Sequence, residues 1–137
     1  MSTAKPLLQI DGNNFDTLEG FFQEVSERLI PGAKWGHNLD AFNDILRGGF
    51  GTPEGGFVLC WKNHQVSRVR LGYEETVRQL RTRMANCHPQ NIPSVEAQLY
   101  EAQDGKGPTV FDWLVEIIRE HGSSGSEKED NVELLLQ

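Results

Sequence analysis

Apolar residues along this chain occur either as short unbroken runs or as stripes at helical spacing, and the alternation of the two predicts its elements. Residues 6–10 form an apolar run closed by the turn signal Asp11-Gly12, which predicts a first strand. Leu18, Phe21, Phe22, Val25 and Leu29 then recur at helical spacing, so residues 17–29 read as an amphipathic helix with an aromatic inner face. Asp16 is its expected N-cap, and Glu19, three residues on, completes a capping-box pattern. Pro31-Gly32 ends that helix. Asn38 is placed to cap a second helix over residues 39–47, which Gly48-Gly49 closes. Stepped at about 100° per residue, Leu39, Ala41, Phe42, Ile45 and Leu46 share one side of it. Asp40, Asn43, Asp44 and Arg47 fall together on the other, with both aspartates expected in solvent one turn apart.

The run Phe57-Val58-Leu59-Cys60-Trp61 is too continuous for a half-exposed strand and predicts one covered on both faces, as in a parallel sheet. Tyr73, Val77, Leu80 and Met84 predict a third helix near residues 73–86. Residues 87–107 read two ways: Val95, Ala97 and Leu99 alternate like a strand, while Val95, Leu99 and Ala102 fit a short helix. Pro108 can start a last helix with the core stripe Val110, Phe111, Leu114, Val115 and Ile118, ended by His121-Gly122. Residues 123–131 read as a mobile polar linker, and residues 132–136 as a final strand with Leu134 inward. Helices separate every pair of strands, so the order predicts an α/β fold. Its core is a three-stranded, mostly parallel sheet with about four to five helices packed on it. One domain over residues 1–137 is expected, with residues 87–107 inserted at its edge.

Composition narrows the function. The hydrophobic content of 37% with seven Phe and three Trp supports one real core and excludes a disordered chain. Cys60 and Cys87 are too few for a disulfide framework or a zinc site, and Cys60 sits in the apolar run as a small hydrophobe. No stretch approaches the roughly 18 apolar residues of a membrane span, and Asp11-Gly12 arrives too soon for a secretory signal, so the expected location is cytoplasmic. The net charge of −7 is uneven. Residues 1–61 carry 4 basic and 8 acidic side chains, residues 62–83 carry 6 and 2, and residues 84–137 carry 3 and 10. Such a balance repels phosphate backbones, which argues against direct nucleic-acid binding, and it favours a basic protein as partner.

Enzymatic and cofactor signatures are weak. The glycine loop of residues 48–56 follows a helix, precedes a strand and lacks the Lys-Ser/Thr of a phosphate loop. His37, His64, His88 and His121 form no HxxxH or HExxH pair, and no G-x-S-x-G occurs, so no metal and no cofactor is expected. A carboxylate hydrolase built from His37, Asp40 and Asp44 is the remote enzymatic alternative. Carboxylates four residues apart on an open helix face are well solvated, however, and by themselves read as an ordinary polar surface.

The residues around that pair add more. Trp35-Gly36-His37-Asn38-Leu39-Asp40-Ala41-Phe42-Asn43-Asp44-Ile45-Leu46 resembles the barstar family of intracellular ribonuclease inhibitors, whose hallmark is an aromatic-Gly-x-Asn-Leu-Asp-Ala segment opening a short helix with a second Asp one turn on. The likeness extends over residues 7–62 and, more loosely, residues 108–136. It implies an inhibitor without catalytic residues that blocks the active site of a basic ribonuclease, in an immunity or antitoxin-like role, as a monomer when free. It also implies that Asp44 makes the dominant contact, with Asp40, Asn38 and Trp35 around it. Gly36, His37, Asn43 and Arg47 complete the candidate binding set. The alternative is a similar module for another basic protein. Several positions depart from the family pattern: His37 stands where an acid is common, Lys34 replaces an aromatic, and Asn43 occupies a place that can hold a large aromatic. The acidic contact the family makes from its last helix has no clear counterpart, an ungapped count landing near Ile117 beside Glu116.

Overall fold

The computed structural model describes residues 5–137. Three strands, β1 (Leu7–Asp11), β2 (Phe57–Lys62) and β3 (Val132–Leu136), form one sheet in the order β1-β2-β3, and both pairings are parallel. Between β1 and β2 lie α1 (Leu18–Arg28) and α2 (Leu39–Arg47). Between β2 and β3 lie α3 (His64–Arg70), α4 (Tyr73–Asn86), α5 (Ile92–Gln103) and α6 (Val110–Glu120). Short 3-10 turns occur at Gly12–Asn14, Pro89–Asn91 and Lys128–Asp130.

Register decides which side chains meet. Leu8, Leu59 and Leu134 line up across the sheet, as do Ile10, Trp61 and Leu136, and these rows pack against the apolar stripes of α1, α2 and α6. Trp61 is at the centre of that layer, with no exposure and with the rings of Phe15, Phe21 and Phe111 at 6.2, 5.3 and 5.1 Å. Each buried aromatic or aliphatic side chain here contributes roughly 1.5–3 kcal/mol. The predicted stripe of the last helix, Val110, Phe111, Leu114, Val115 and Ile118, is buried throughout.

The other face of the sheet corrects the expectation for β2. Leu7, Val58, Cys60 and Leu135 lie outside the helix-packed core, and Leu7 and Leu135 are exposed. The unbroken apolar run arises instead from the strand's central position. Cys60 is shielded between two neighbouring strands, with its Sγ 3.4 Å from Oε1 of Gln137, and needs no second layer of helices.

Helix ends differ from the sequence reading in two places. Thr17, not Asp16, caps α1: its Oγ1 accepts from the Gly20 N–H at 3.0 Å. Glu19 is drawn away from the expected capping box to Arg78 and Gln79. The orphan N–H of Leu18 is taken at 2.8 Å by Glu75, a buried carboxylate from α4. The last helix starts at Val110 rather than Pro108, with Thr109 and Asp112 forming a reciprocal capping box.

Among the described residues six helices form, where about four to five were expected. The unforeseen one, α3, has no apolar stripe to announce it, since Val69 is exposed and its only buried residue is Ser67. Ser67 accepts from the Trp61 indole N–H at 3.0 Å, so a polar contact seats this helix. The ambiguous stretch resolves as helix α5, whose Val95, Leu99 and Ala102 pack with Leu80 of α4 in a small cluster of their own. Residues 123–131, read as a mobile linker, include the turn Lys128–Asp130 and are tied by backbone and side-chain bonds to α6 and α2.

Glu75 generates a pH prediction. Burial alone would raise its pKa, but hydrogen bonds from Arg78, the Leu18 N–H and Gln79 outweigh burial and hold it below the ordinary 4.5. A depressed folded-state pKa gives stability that is present above the unfolded value and lost as pH falls through the folded one. Glu75→Ala is expected to cost roughly 1–3 kcal/mol at neutral pH by leaving the Leu18 N–H unpaired and Arg78 with Glu19 as its remaining partner. The difference from the parent in urea unfolding should shrink as pH falls below 4.5. A second expectation concerns α5. Replacing residues 89–106 with a short Gly/Ser linker should leave a cooperatively unfolding domain, less stable because Leu80 loses its cover. Loss of the calorimetric transition would show that α5 is needed for the main core.

Candidate partner-binding face

Helix α2 carries the candidate face, and both of its ends are fixed by side-chain or glycine chemistry. Asn38 has extended backbone, and its Oδ1 accepts from the Ala41 N–H at 2.8 Å, as an N-cap requires. Its amide also reaches the Gly36 carbonyl at 3.3 Å, closing the approach loop on itself. At the other end Gly48 takes φ +109° and donates to the Ile45 carbonyl at 3.0 Å, a conformation that L side chains rarely adopt.

The approach loop is held by an aromatic knot. Trp35 packs edge-on against Phe22 at 5.5 Å between ring centres and lies 4.4 Å from the ring of His37. Its indole N–H donates to Ser26 Oγ of α1 at 2.6 Å, and the same hydroxyl lies 3.1 Å from His37 Nε2. His37 has φ +47°, the left-handed region, which costs a non-glycine residue on the order of 1 kcal/mol. These contacts hold it there and turn the chain into the cap of α2. They also direct the His37 ring to α1, where its hydrogen bond goes to Ser26 and none goes to either aspartate.

Phe42, Ile45 and Leu46 of α2 are fully buried, whereas Leu39 is half-buried and a weaker anchor than its position suggested. Asn38, Asp40, Asp44 and Arg47 are exposed, as are Gly36 and His37. Asn43 departs from the polar sector in which helical geometry placed it. It is half-buried, with Oδ1 2.6 Å from Nε2 of His121, a residue with no exposure at the end of α6. The other ring nitrogen of His121 lies 2.6 Å from Asp130, and Glu127 is 3.4 Å from Nε2.

Arg47 has two carboxylate partners. Its Nη1 donates to Asp44 at 2.9 Å, while one oxygen of Glu127 accepts from Nε at 2.8 Å and Nη2 at 2.7 Å. These partners hold the guanidinium pKa above its usual value, with the hydrogen bond donated to Glu127 the largest cause. Glu127 is fixed in turn, its N–H donating to the Glu120 carbonyl at 2.9 Å. Ser126 donates to the Glu120 carboxylate, which it holds below the ordinary carboxylate range. The sequence reading missed Ser26, His121 and Glu127 as supports of this face. Glu127 lies 80 residues from Arg47, and no local pattern announces such a pair.

His121, Glu127 and Asp130 bring potential metal-ligand atoms within 4.8 Å of one another. Both imidazole nitrogens are already within 2.6 Å of an oxygen, and Glu127 is engaged by Arg47, so a cation would have to displace those bonds. The remaining histidines are separate from the face: His64 bonds the Gln137 carbonyl, and His88 accepts from the Gln90 N–H. An open depression of about 1020 Å³ lies between α4 and the start of α1, and none of the face residues line it. The face itself presents the exposed carboxylates of Asp40 and Asp44, with the Arg47 guanidinium beside Asp44.

No curated protein sequence matches the chain. A family model described as Barstar (barnase inhibitor) matches residues 6–88, which take in β1, α1, the aromatic knot, all of α2, β2, α3 and α4. That span is more than half of the 137 residues, and the chain belongs to the barstar family.

Proposed function

We propose that this protein inhibits a basic ribonuclease of the barnase type by seating α2 across the nuclease's phosphate-binding cleft. The observation that carries the reading is the exposed pair Asp40 and Asp44 on a helix capped at both ends and pinned by Phe42, Ile45 and Leu46. A ribonuclease holds the RNA backbone with Lys, Arg and His, and carboxylates at the phosphate positions make charge-assisted hydrogen bonds to the same groups. Asp44 takes the central position, Asp40 the next, and Asn38, Gly36, His37 and Trp35 form the rim. Asn43, turned to His121, sets the pitch of the helix from beneath. No step of chemistry is needed, and the protein acts as a plug rather than an enzyme.

The family suggests a barnase inhibitor, and the charge of −7 supports steered encounter with a basic partner. No helix among the described residues is long and apolar enough to cross a membrane. We place the protein in the cytoplasm as a monomer that protects its cell from a nuclease made there or received from a neighbour.

The test is inhibition of barnase by purified protein and three variants, with urea unfolding as the control. Asp44→Ala removes only a surface pair on one helix, worth about 0.2–0.5 kcal/mol, so stability should hardly change. In the complex it leaves a desolvated cation unpaired, costing roughly 2–5 kcal/mol of binding. Asp44→Asn should recover little, because charge stands in for phosphate. Phe42→Ala should do the reverse, lowering stability by roughly 3–5 kcal/mol. The on-rate should fall steeply between low and physiological salt, with the off-rate less affected. Equal inhibition by the parent and Asp44→Ala would refute the proposed docking mode.

A further inference from the structure

Asp44 does not stand alone on its helix. Arg47, one turn on, offers its carboxylate an intramolecular cation that competes with any cation a partner brings. The competition is uneven in the structure. Asp44 receives one hydrogen bond, from Nη1, while Nε and Nη2, the edge of the guanidinium that best fits a carboxylate, are both committed to Glu127. Glu127 is also the less exposed of the two acids, at 28% against 55%, so its bond is less weakened by water. Its backbone is tied to α6 through Glu120, so the guanidinium is held by a support outside the docking helix.

We propose that Glu127 is a positioning residue for inhibition: by holding the Arg47 guanidinium it keeps the Asp44 carboxylate open to a partner's cation. Released from Glu127, the flexible Arg47 side chain has Asp44 as its nearest bonded acid and closes on it with the edge that Glu127 now occupies. The partner's cation must then displace a forked ion pair instead of a single bond. Arg47 is thereby a built-in competitor, and the turn Lys128–Asp130 with the residue before it is a functional part of the face. This inference rests on the reading of α2 as the docking helix.

A double-mutant cycle with barnase as probe tests it. Glu127→Ala should weaken inhibition by about three- to tenfold, a coupling of the size expected within one ion-pair network. Arg47→Ala should inhibit at least as well as the parent, because in this proposal Arg47 is a competitor for Asp44 and not the partner contact that its helix position first suggested. With Arg47→Ala in place, adding Glu127→Ala should change inhibition by less than about twofold, because the competitor is gone. A loss on Glu127→Ala that is equal in both backgrounds would overturn the proposal, showing that Glu127 acts by direct contact or by general charge. Weaker inhibition by Arg47→Ala would overturn it too, making Arg47 a contact. If Asp44→Ala inhibits like the parent, the docking-helix reading fails first, which distinguishes the two failures. A readout on the free protein needs no nuclease: side-chain ¹⁵N NMR should show the Arg47 Nε–H protected from exchange in the parent and in Asp44→Asn. In Glu127→Ala the Nε–H should pass to Asp44, so that its protection there vanishes when Asp44→Asn is added; no protection in Glu127→Ala, or protection that does not depend on Asp44, would overturn the proposal.

Discussion

A nine-residue helix is too short to hold itself in water, because isolated helices below roughly 12–15 residues are marginal even in favourable sequences. The acidic face therefore exists only as far as the rest of the molecule makes α2 rigid. Phe42, Ile45 and Leu46 give it a floor, and each is fully buried against residues of α1, α6 and the sheet. Asn38 and Gly48 close its two ends, so its carboxylates project from a backbone with little freedom left. The buried floor and the two closed ends together hold this helix of about two and a half turns in place.

Polar ties between distant elements complete that mounting, and they share a form: a buried or half-buried side chain from one element satisfies the open end of another. Glu75 of α4 takes the N–H at the start of α1, and Glu24 of α1 accepts from the Asp11 N–H at the end of β1. His121 at the end of α6 joins Asn43 of α2 to Asp130 of the last turn. Each group would be costly to bury alone, and no buried side-chain polar atom lacks a partner among the described residues. The ties are directional, so they select one arrangement of the helices over others of similar apolar burial.

This division explains what was legible in the sequence. Strands and helices announced by apolar patterning appear within a residue or two of their expected places, because β2 and the stripes of α1, α2 and α6 are built by burial alone. The parallel sheet followed from the alternation. Two elements were less legible: α3, which buries Ser67 rather than an apolar stripe, was hidden, and α5, whose small apolar cluster packs on α4 outside the main core, read equally as strand or helix. The cap of α1 was misassigned because Asp16 and Thr17 are both good caps, and tertiary contacts from Arg78 and Gln79 claim Glu19. At the candidate face, Asp40, Asp44 and Asn38 stood out by spacing and by likeness to a family segment. Asn43 did not, since helical geometry alone cannot show that His121 reaches up from another helix to meet it.

The two aspartates are not equivalent, and helix electrostatics separates them. Asp40 lies in the first turn of α2, where the partial positive charge of the helix start stabilises an anion by about 0.3–1 kcal/mol. Its presence needs no partner to explain it. Asp44 lies in the second half of the same short helix, toward the end where the partial charge is negative and an anion is disfavoured. It also sits four residues from Asp40, a like-charge spacing that costs about 0.2–0.5 kcal/mol. Nothing in α2 offsets these costs except the single bond from Arg47, whose guanidinium is held chiefly by Glu127. Asp44 buries no apolar surface, caps nothing, and stands where the helix would favour a cation. Its position on the helix is therefore not accounted for by helix electrostatics as that of Asp40 is, and this supports the proposal that Asp44, more than Asp40, marks a binding face.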